Sequence, residues 1–408
     1  MSAFLNAHSL IATSIVKTVV LLFLVLTALA YLTWFERKVV GHIQSRWGPY
    51  RVGPHGLLQP LADGLKFIMK EDPFPIGADK FVYFLAPLLS MSVALTALAI
   101  IPFGPQEITL FGRTTSLAIV DLNLGLLFLF AISSLGVYGV SLAGWASNSK
   151  YPLLGGLRSS AQMVSYELSL TLSVVGVLLM AGSFSLRDII QHQQGWTWHF
   201  LPRWNLFAGP LPQILGFFCY FVAAIAETNR APFDLAEGEQ ELVGGFHTEY
   251  SSMKFAMFFM AEYANMVTVS CIATILFFGG WLSPFPVAGS WSWTLYIPAA
   301  VFVICGLMLI WDGITYTTNI GKIELVILGF ALTGVGVLAG TSFALSFVQG
   351  PFWFLTKVLA FLFVYVWVRG TLPRFRYDQL MAIGWKLLLP VSLANVVFTS
   401  LALVVTGR

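Results

Sequence analysis

The segment from residue 82 to residue 103 reads VYFLAPLLSMSVALTALAIIPF and contains no charged side chain. A helix needs about 20 mostly apolar residues to cross the hydrocarbon core of a bilayer. The segment therefore predicts a membrane-spanning helix, and the rest of the chain decides how many such helices surround it.

The composition of the whole chain has the same character. Of its 408 residues, 57% are hydrophobic and 10% are charged, whereas about 25% of the residues in an ordinary soluble domain are charged. The formal net charge of +3 is too small to indicate a nucleic-acid partner, and no basic run is longer than a pair. We therefore expect an all-α polytopic membrane protein embedded in a lipid bilayer, with no nucleic acid bound.

Ten segments are long and apolar enough to span the bilayer, and we predict that they belong to one membrane domain over residues 1–408. The segment GVLAG at 336–340 is a small-xxx-small pattern that favours close packing on another helix. The predicted spans are 11–34, 82–103, 122–145, 160–182, 211–228, 256–282, 295–311, 324–348, 352–369 and 383–406.

The positively charged residues fall mainly on one side of this predicted bundle. With the N-terminus outside, most of the 22 lysines and arginines lie in cytoplasmic connections and helix ends, as the positive-inside rule requires. Both termini are then external. Lys357 lies within a predicted helix near its external end, where its side chain can extend to the surface.

The first cytoplasmic connection, residues 35–81, contains an amphipathic helix. In LLQPLADGLKFIMK (57–70), the apolar side chains share one arc at 100° per residue, and Gln59, Asp63, Lys66 and Lys70 share the opposite arc. The helix is too short to span, so we expect it to lie in the membrane interface. The alternative is a helix that packs on a partner subunit.

The stretch AETNRAPFDLAEGEQELVGGFHTEY (226–250) concentrates acidic residues in a chain that has only 19 of them. We predict an acidic cytoplasmic loop over 229–254, in which Pro232 ends the preceding helix. Asp234 followed three residues later by Glu237 is typical of a helix start, and Gly244-Gly245 is typical of its end.

Acidic residues also enter the predicted spans from the same side, at Glu36, Glu167 and Glu262, and Glu227 closes the fifth span. A charge at the centre of a lipid-exposed helix costs about 2.5–3.5 kcal/mol, so such residues usually face a polar interior and carry function. Crowded carboxyl groups at low dielectric have raised pKa values, which is what a proton relay requires. The structural alternatives are that Glu36 pairs with neighbouring Arg37 or Lys38, and that Asp121 caps the third span.

Motifs for redox cofactors and nucleotides are missing. The six histidines lie in loops or termini, so a haem between helices has no ligand pair, and the three cysteines lie far apart in apolar runs. The sequence contains no CxxC, no P-loop and no GxGxxG. We expect no metal and no cofactor in this chain.

Four long segments resemble one family. They are FERKVVGHIQSRWGPYRVGPHGLLQPLADGLKFIMKED, AGWASNSKYPLLGGLRSSAQMVSYEL, AETNRAPFDLAEGEQELVGGFHTEYSSMKFAMFFMAEY and LPRFRYDQLMAIGWKLLLP. In these segments the chain resembles the H subunits of proton-pumping NADH:quinone oxidoreductase (respiratory complex I). In mitochondria these subunits are called NADH dehydrogenase subunit 1.

This resemblance implies a membrane subunit without its own redox centre that anchors the peripheral arm and forms much of the quinone access tunnel. It also implies two sets of site residues. The proton relay would comprise Glu167, Glu227, Glu237, Glu239, Glu241, Glu249 and Glu262. The quinone tunnel would comprise Arg37, Arg46, Asp63, Lys66, Phe246, Arg369, Arg374 and Asp378.

The resemblance further implies partners and a location. NADH, FMN and iron–sulfur clusters would be bound by partner subunits of complex I, including peripheral quinone-site subunits and small membrane subunits, and the substrate would be a quinone such as ubiquinone or menaquinone. The location would be the inner membrane of a bacterial cell.

One feature departs from the family, which normally has eight spans. The additional pair, 295–311 and 324–348, predicts an inserted helix pair within residues 295–348.

The working hypothesis is that quinone enters near the amphipathic helix and that its reduction changes the 229–254 loop, so that protonation of the acids shifts. Two other functions stay open at this point. One is a homologous subunit of a ferredoxin- or F420-linked or hydrogenase membrane complex, which uses the same chain chemistry with another electron donor. The other is a stand-alone ion-coupled transporter, but the sequence lacks the internal repeat typical of such folds.

Overall fold

The computed structural model of the chain describes residues 2–105, 108–110, 113–115, 118–197, 201–234, 244–286, 289–316 and 319–407. Helices form most of this described part, and its strands are confined to two short antiparallel hairpins. Nine described helices have the length and apolar composition of a membrane span. The prediction of an all-α polytopic membrane protein is therefore confirmed.

The elements are numbered here in chain order. The helices are α1 (Ser2–Ile43), α2 (Gln59–Met69), α3 (Lys80–Ala99), α4 (Gly125–Ala146), α5 (Lys150–Ala181), α6 (Leu186–His192), α7 (Ile214–Glu227), α8 (Ser252–Phe277), α9 (Ile297–Thr315), α10 (Asn319–Ala339), α11 (Ser342–Thr371), α12 (Tyr377–Ala382) and α13 (Leu389–Val405). A π-helical stretch, Ile383–Leu388, joins α12 to α13, and short 3-10 turns cover Pro54–Gly56, Gly245–His247 and Gly289–Tyr296. Strand β1 (Ile108–Leu110) pairs with β2 (Arg113–Thr115), and β3 (Trp196–Thr197) pairs with β4 (Leu201–Pro202).

The predicted span 211–228 is shorter than expected. It is the 14-residue helix α7, which is about 21 Å long at 1.5 Å per residue and so falls short of the hydrocarbon core of about 30 Å. Asn229 directly follows the C-cap residue and has a left-handed backbone with φ of 50°. This turn ends the helix before Pro232 is reached.

The boundary between α10 and α11 also differs from the prediction of spans 324–348 and 352–369. The helical conformation is interrupted at Gly340–Thr341, and Pro351 lies inside α11. Proline is tolerated within membrane helices because neighbouring groups satisfy the freed carbonyl. The Gly-Pro pair at 350–351 therefore does not separate the two helices.

Glycines bring the central helices close together. A Cβ atom on Gly139 of α4 would lie 2.0 Å from the Ser90 hydroxyl of α3, and one on Gly144 would lie 2.6 Å from the carbonyl oxygen of Pro152 at the start of α5. Small residues at these contacts let helix backbones approach. Fully buried aromatic side chains, among them Tyr166, Tyr220 and Phe277, fill the space between α5, α7 and α8.

Helix α2 packs with one edge and leaves its apolar arc uncovered. The Ser252 hydroxyl of α8 donates to the carbonyl oxygen of Phe67 over 2.7 Å, and the Phe67 ring lies 6.2 Å from that of Phe255. Leu61 and Ile68 are each 65% exposed. Apolar side chains left uncovered in this way fit the predicted interfacial helix.

Helices α9 and α10 form a hairpin that packs mainly on itself. A Cβ on Gly336 would lie 2.8 Å from the backbone nitrogen of Val303, and one on Gly306 would lie 2.8 Å from the carbonyl oxygen of Gly329. The small-xxx-small pattern at 336–340 therefore packs on α9. Outside itself, the hairpin contacts α11, the turn at 289–296, the turn at Pro54–Gly56 and the ring of Tyr50.

Two structural interpretations of charged residues are wrong. Asp121 does not cap α4, because the N-cap position is Leu124 and the Asp121 carboxylate is paired with Arg187. Lys357 does not extend to the surface. Its ammonium group donates to the carbonyl oxygens of Phe278, Gly280 and Leu282 over 2.7, 2.9 and 2.7 Å. These carbonyls belong to the non-helical segment that follows α8, so they have no helical partners.

Candidate functional site

Glu36 is the centre of a buried ionic cluster near the end of α1. Its side chain accepts a hydrogen bond of 2.5 Å from the Tyr263 hydroxyl of α8 and is also paired with Arg369 of α11. The guanidinium group of Arg230 lies 3.5 Å from the same carboxylate. The structural alternative, in which Glu36 pairs with Arg37 or Lys38, is therefore wrong. These two cations and the hydroxyl compensate the free-energy cost of removing the Glu36 carboxylate from water.

Arg230 connects this carboxylate to a second one. Its terminal nitrogen lies 3.9 Å from Glu262, and its guanidinium group stacks 4.1 Å from the centre of the Tyr263 ring. The turn that ends α7 at Asn229 places Arg230 here, with a side chain only 9% exposed. Planar stacking and several donors suit arginine to this position better than lysine.

Glu227 and Glu262 line the same small cavity. This cavity of about 30 Å³ is bordered also by Asn265, Thr228 and Phe246. A second cavity of about 30 Å³ is lined by Glu227 together with Tyr220 and Thr268. A water needs about 10–15 Å³ of such space and several polar partners. Each cavity is thus large enough for about two waters, and Glu227 borders both.

The other predicted relay residues are placed less centrally. Glu167 on α5 is half-buried. Glu249 is half-buried after the Gly245–His247 turn, where its backbone carbonyl accepts a 2.7 Å hydrogen bond from Tyr83. The adjacent Tyr250 ring stacks on Tyr83 at 4.2 Å, and burial raises the pKa of the Tyr250 phenol. That phenol therefore stays protonated at neutral pH.

The central acids of the 229–254 loop, Glu237, Glu239 and Glu241, lie outside the described residues, as does the predicted helix between Asp234 and Gly244. Both ends of this interval are anchored. On one side, Asp234 is buried and lies 3.2 Å from the guanidinium of Arg374. On the other side, Phe246 is buried against Phe258, with ring centres 5.3 Å apart.

The predicted tunnel residues separate into three groups. Arg37 is paired with Asp63 over 2.6 Å, and Gln59 donates to the same carboxylate over 2.8 Å. Arg369, Arg374 and Phe246 adjoin the acids described above. The remaining members, Arg46, Lys66 and Asp378, are exposed.

A large groove opens beside the start of α2. It has a volume of about 1400 Å³ and runs between α1, the 47–59 segment and α11. Its lining includes Trp34, Lys38, Tyr50, His55 and Phe363. Apolar and aromatic walls with a few polar groups are typical of sites for small hydrophobic molecules.

Sequence reasoning missed two members of the ionic cluster, Arg230 and Tyr263, and did not predict their contacts with Glu36. All three lie within the quoted motifs, but they are far apart in the chain; Glu36 and Tyr263 are separated by 227 positions. Within the described ranges, no group of three His, Cys, Asp or Glu side chains lies close enough to hold a metal ion.

Comparison with known proteins finds matches along almost the whole chain. The sequence model of the NADH dehydrogenase family matches residues 16–400. The chain is 51% identical over 391 residues to the NADH-quinone oxidoreductase H subunit 1 of Solibacter usitatus (strain Ellin6076), covering 96% of both chains. It is 52% identical over 398 residues to the corresponding H subunit 2 of Koribacter versatilis (strain Ellin345), covering 95% of this chain and 96% of that protein. The H subunit 2 of Geobacter metallireducens is 43% identical over 397 residues, covering 95% of this chain and 94% of that protein.

Proposed function

The chain belongs to the NADH dehydrogenase family, and from that premise we propose that it couples quinone reduction to proton translocation within NADH-quinone oxidoreductase (respiratory complex I). The resemblance predicted from the four motifs is confirmed, so the protein is a membrane subunit of this complex. The finer proposal is that it anchors the peripheral arm and contributes the quinone tunnel and a carboxylate relay.

In this proposal, redox chemistry belongs to partner subunits. They bind NADH, FMN and iron–sulfur clusters, and they deliver the two electrons that quinone takes up together with two protons. The chain lies in a bacterial inner membrane with both termini outside, so that the 35–81 and 229–254 connections face the cytoplasm and the peripheral arm.

Quinone enters from the bilayer beside α2. Two observations support this route: the uncovered apolar arc of α2, and the groove of about 1400 Å³ that opens at its start. The Arg37–Asp63 pair stands where α1 and α2 meet, and the predicted tunnel residues continue from there toward Arg369 and Arg374.

The observation that carries the proposed relay is the bridging position of Arg230 between Glu36 and Glu262. Glu262 shares a cavity with Glu227, and Glu227 borders the second cavity, so buried carboxylates alternate with spaces of water size. Glu167, half-buried on α5, enters the bundle from the same side. A proton can move along such an array because each carboxylate exchanges with the next through one or two waters.

The 229–254 loop links the two processes. Arg374, a tunnel residue, holds Asp234 at one end of the loop, and Phe246 at the other end lines the cavity of Glu227 and Glu262. A change of charge at the quinone therefore alters the loop and, through Arg230 and Phe246, the protonation of the buried acids.

The test uses the assembled complex in inverted membrane vesicles, with Glu262→Gln and Glu227→Gln. Removing an ionisable group from a proton path is expected to lower NADH-driven proton uptake at least about tenfold, while NADH oxidation by ferricyanide, which needs no quinone, is retained. Glu324→Gln is the matched control, because Glu324 is an exposed carboxylate on α10. Normal proton uptake in both site variants would contradict the relay.

A further inference from the structure

The α9–α10 hairpin touches the 44–58 loop at Tyr50 and at the turn at Pro54–Gly56. The ring of Tyr316, the residue after α9, lies 6.2 Å from that of Tyr50. Nε2 of His55 lies 2.7 Å from the carboxylate of Asp312, in the last turn of α9. The hydroxyl of Tyr316 accepts a 3.3 Å hydrogen bond from the backbone nitrogen of His55. The His55 and Tyr316 rings lie 5.1 Å apart. Two residues of the hairpin thus hold both the side chain and the backbone of His55.

The loop needs such support because its backbone is strained at His55. This residue has a left-handed conformation with φ of 52°, which costs a residue with a Cβ about 1–2 kcal/mol. From the other side, the indole nitrogen of Trp34 in α1 donates to the carbonyl oxygen of His55 over 3.3 Å. His55 is therefore clamped between α1 and the hairpin.

The clamped residue belongs to a compact unit. A Cβ on Gly56 would lie 2.3 Å from the carbonyl oxygen of Pro49, and one on Gly48 would lie 2.9 Å from the Cα atom of Lys38. The loop is thus folded on itself and on α1 with no spare space. A displacement at His55 would be transmitted to the rest of the loop rather than absorbed.

This unit carries groups of the proposed quinone path. Tyr50 and His55 form one wall of the large groove, and Gln59, four residues after His55, lines the groove and also donates to Asp63. Asp63 in turn holds Arg37. The contacts therefore run from the hairpin, through His55 and the loop, to the Arg37–Asp63 pair.

We propose that the α9–α10 hairpin is a positioning element for the quinone entrance, in which Asp312 and Tyr316 hold His55 and thereby fix the groove wall and the start of α2. The proposal rests on the proposed function, since it assigns Asp312 and Tyr316 to the binding of the hydrophobic quinone. Neither residue touches the reacting ring. Their effect is on the affinity for quinone and not on the chemical step.

The experiment measures NADH:quinone reductase kinetics of the assembled complex in membranes with Asp312→Asn and Tyr316→Phe, using a long-tailed quinone. Losing one contact of this kind is expected to raise KM about fivefold, equivalent to about 1 kcal/mol, with kcat changed less than about twofold. Ferricyanide reduction by NADH reports assembly and stays unchanged. Glu324→Gln, which removes an exposed carboxylate of the same hairpin, is expected to leave KM unchanged.

A double-mutant cycle adds a readout that general loosening of the fold would not produce. Because Asp312 acts through His55, the double variant His55→Gln/Asp312→Asn is expected to raise KM no more than the larger single change. Additive effects, or an unchanged KM in both single variants, would overturn the proposal. If Asp312→Asn does not accumulate, Tyr316→Phe decides, since it removes one hydroxyl only. A wild-type complex without quinone reductase activity would instead overturn the proposed function.

Discussion

The hydroxyl of Tyr263 donates a hydrogen bond of 2.5 Å to the carboxylate of Glu36, which lies 227 positions earlier in the chain. The ring of the same tyrosine carries the guanidinium of Arg230 on its face at 4.1 Å. Tyr263 therefore supports the ionic cluster in two ways, one through its hydroxyl and one through its ring. The two contributions can be separated by a substitution that keeps the ring.

Tyr263→Phe removes the hydroxyl and keeps the stacking surface. A hydrogen bond to a charged group contributes about 1.5–3 kcal/mol, so the Glu36 carboxylate is expected to be held less firmly, and quinone-linked proton uptake should fall several-fold in an assembled complex. Proton uptake by membrane vesicles measures the effect. Tyr138→Phe is the control, because Tyr138 is 60% exposed on α4; equal losses in both variants would exclude a specific role for the Glu36 bond.

Lys357→Met is expected to destabilise the end of α8. The substitution keeps the apolar stem and removes the ammonium group that serves three carbonyl oxygens. Buried acceptors left without donors cost about 1–3 kcal/mol each. The thermal midpoint of the purified complex should therefore fall, while Lys386→Met, at an exposed lysine, should leave it unchanged. A midpoint that is insensitive to Lys357→Met would mean that water replaces the ammonium.

Gly155→Ala is expected to move the Gly245–His247 turn. The new methyl group would lie 2.8 Å from the backbone of Gly245 and Phe246, and such overpacking costs about 1–3 kcal/mol. Since Phe246 lines the cavity of Glu227 and Glu262, both thermal stability and proton uptake should fall. The matched variant is Gly64→Ala in α2, where nothing lies within 4 Å of the added methyl group. Gly155→Ala with wild-type stability and uptake would contradict the tight contact.

Glu239→Gln and Glu241→Gln test the acids of the 229–254 loop that lie outside the described residues. If these side chains belong to the relay, quinone reductase activity should fall at least about tenfold with assembly intact. Glu71→Gln, at an exposed acid of the 35–81 connection, is the comparison. Unchanged turnover in both loop variants would remove these residues from the relay.

Much of the architecture follows from the sequence alone. Apolar length identifies spans because a bilayer imposes one thickness on every crossing helix, and α2 is recognised because its period is helical and its length too short to span. Where local signals compete, sequence was less informative. Asn229 ended α7 before Pro232, and Pro351 was accommodated inside α11, since helix ends depend on turn conformation and on neighbours as well as on proline.

Some residues of the site could also be predicted from the sequence. Acidic residues inside apolar segments indicate a polar interior, whichever partners they have, and for this reason Glu227 and Glu262 could be singled out from their positions in the spans. The quoted motifs identified the family. The inference about the acidic residues depends on the free-energy cost of placing a charge in hydrocarbon. That cost can be recognised from one charged residue and the apolar sequence that flanks it.

Pairing was decided only by the tertiary structure. Glu36 has Arg37 and Lys38 as sequence neighbours, yet it bonds with Tyr263 and Arg369 and adjoins Arg230, which come from three other segments. His55 likewise meets Asp312 across 257 positions. Adjacent residues on a helix point in different directions, so the partner of a buried charge is set by helix packing, and helix packing depends on glycine contacts and side-chain volumes distributed over the whole chain.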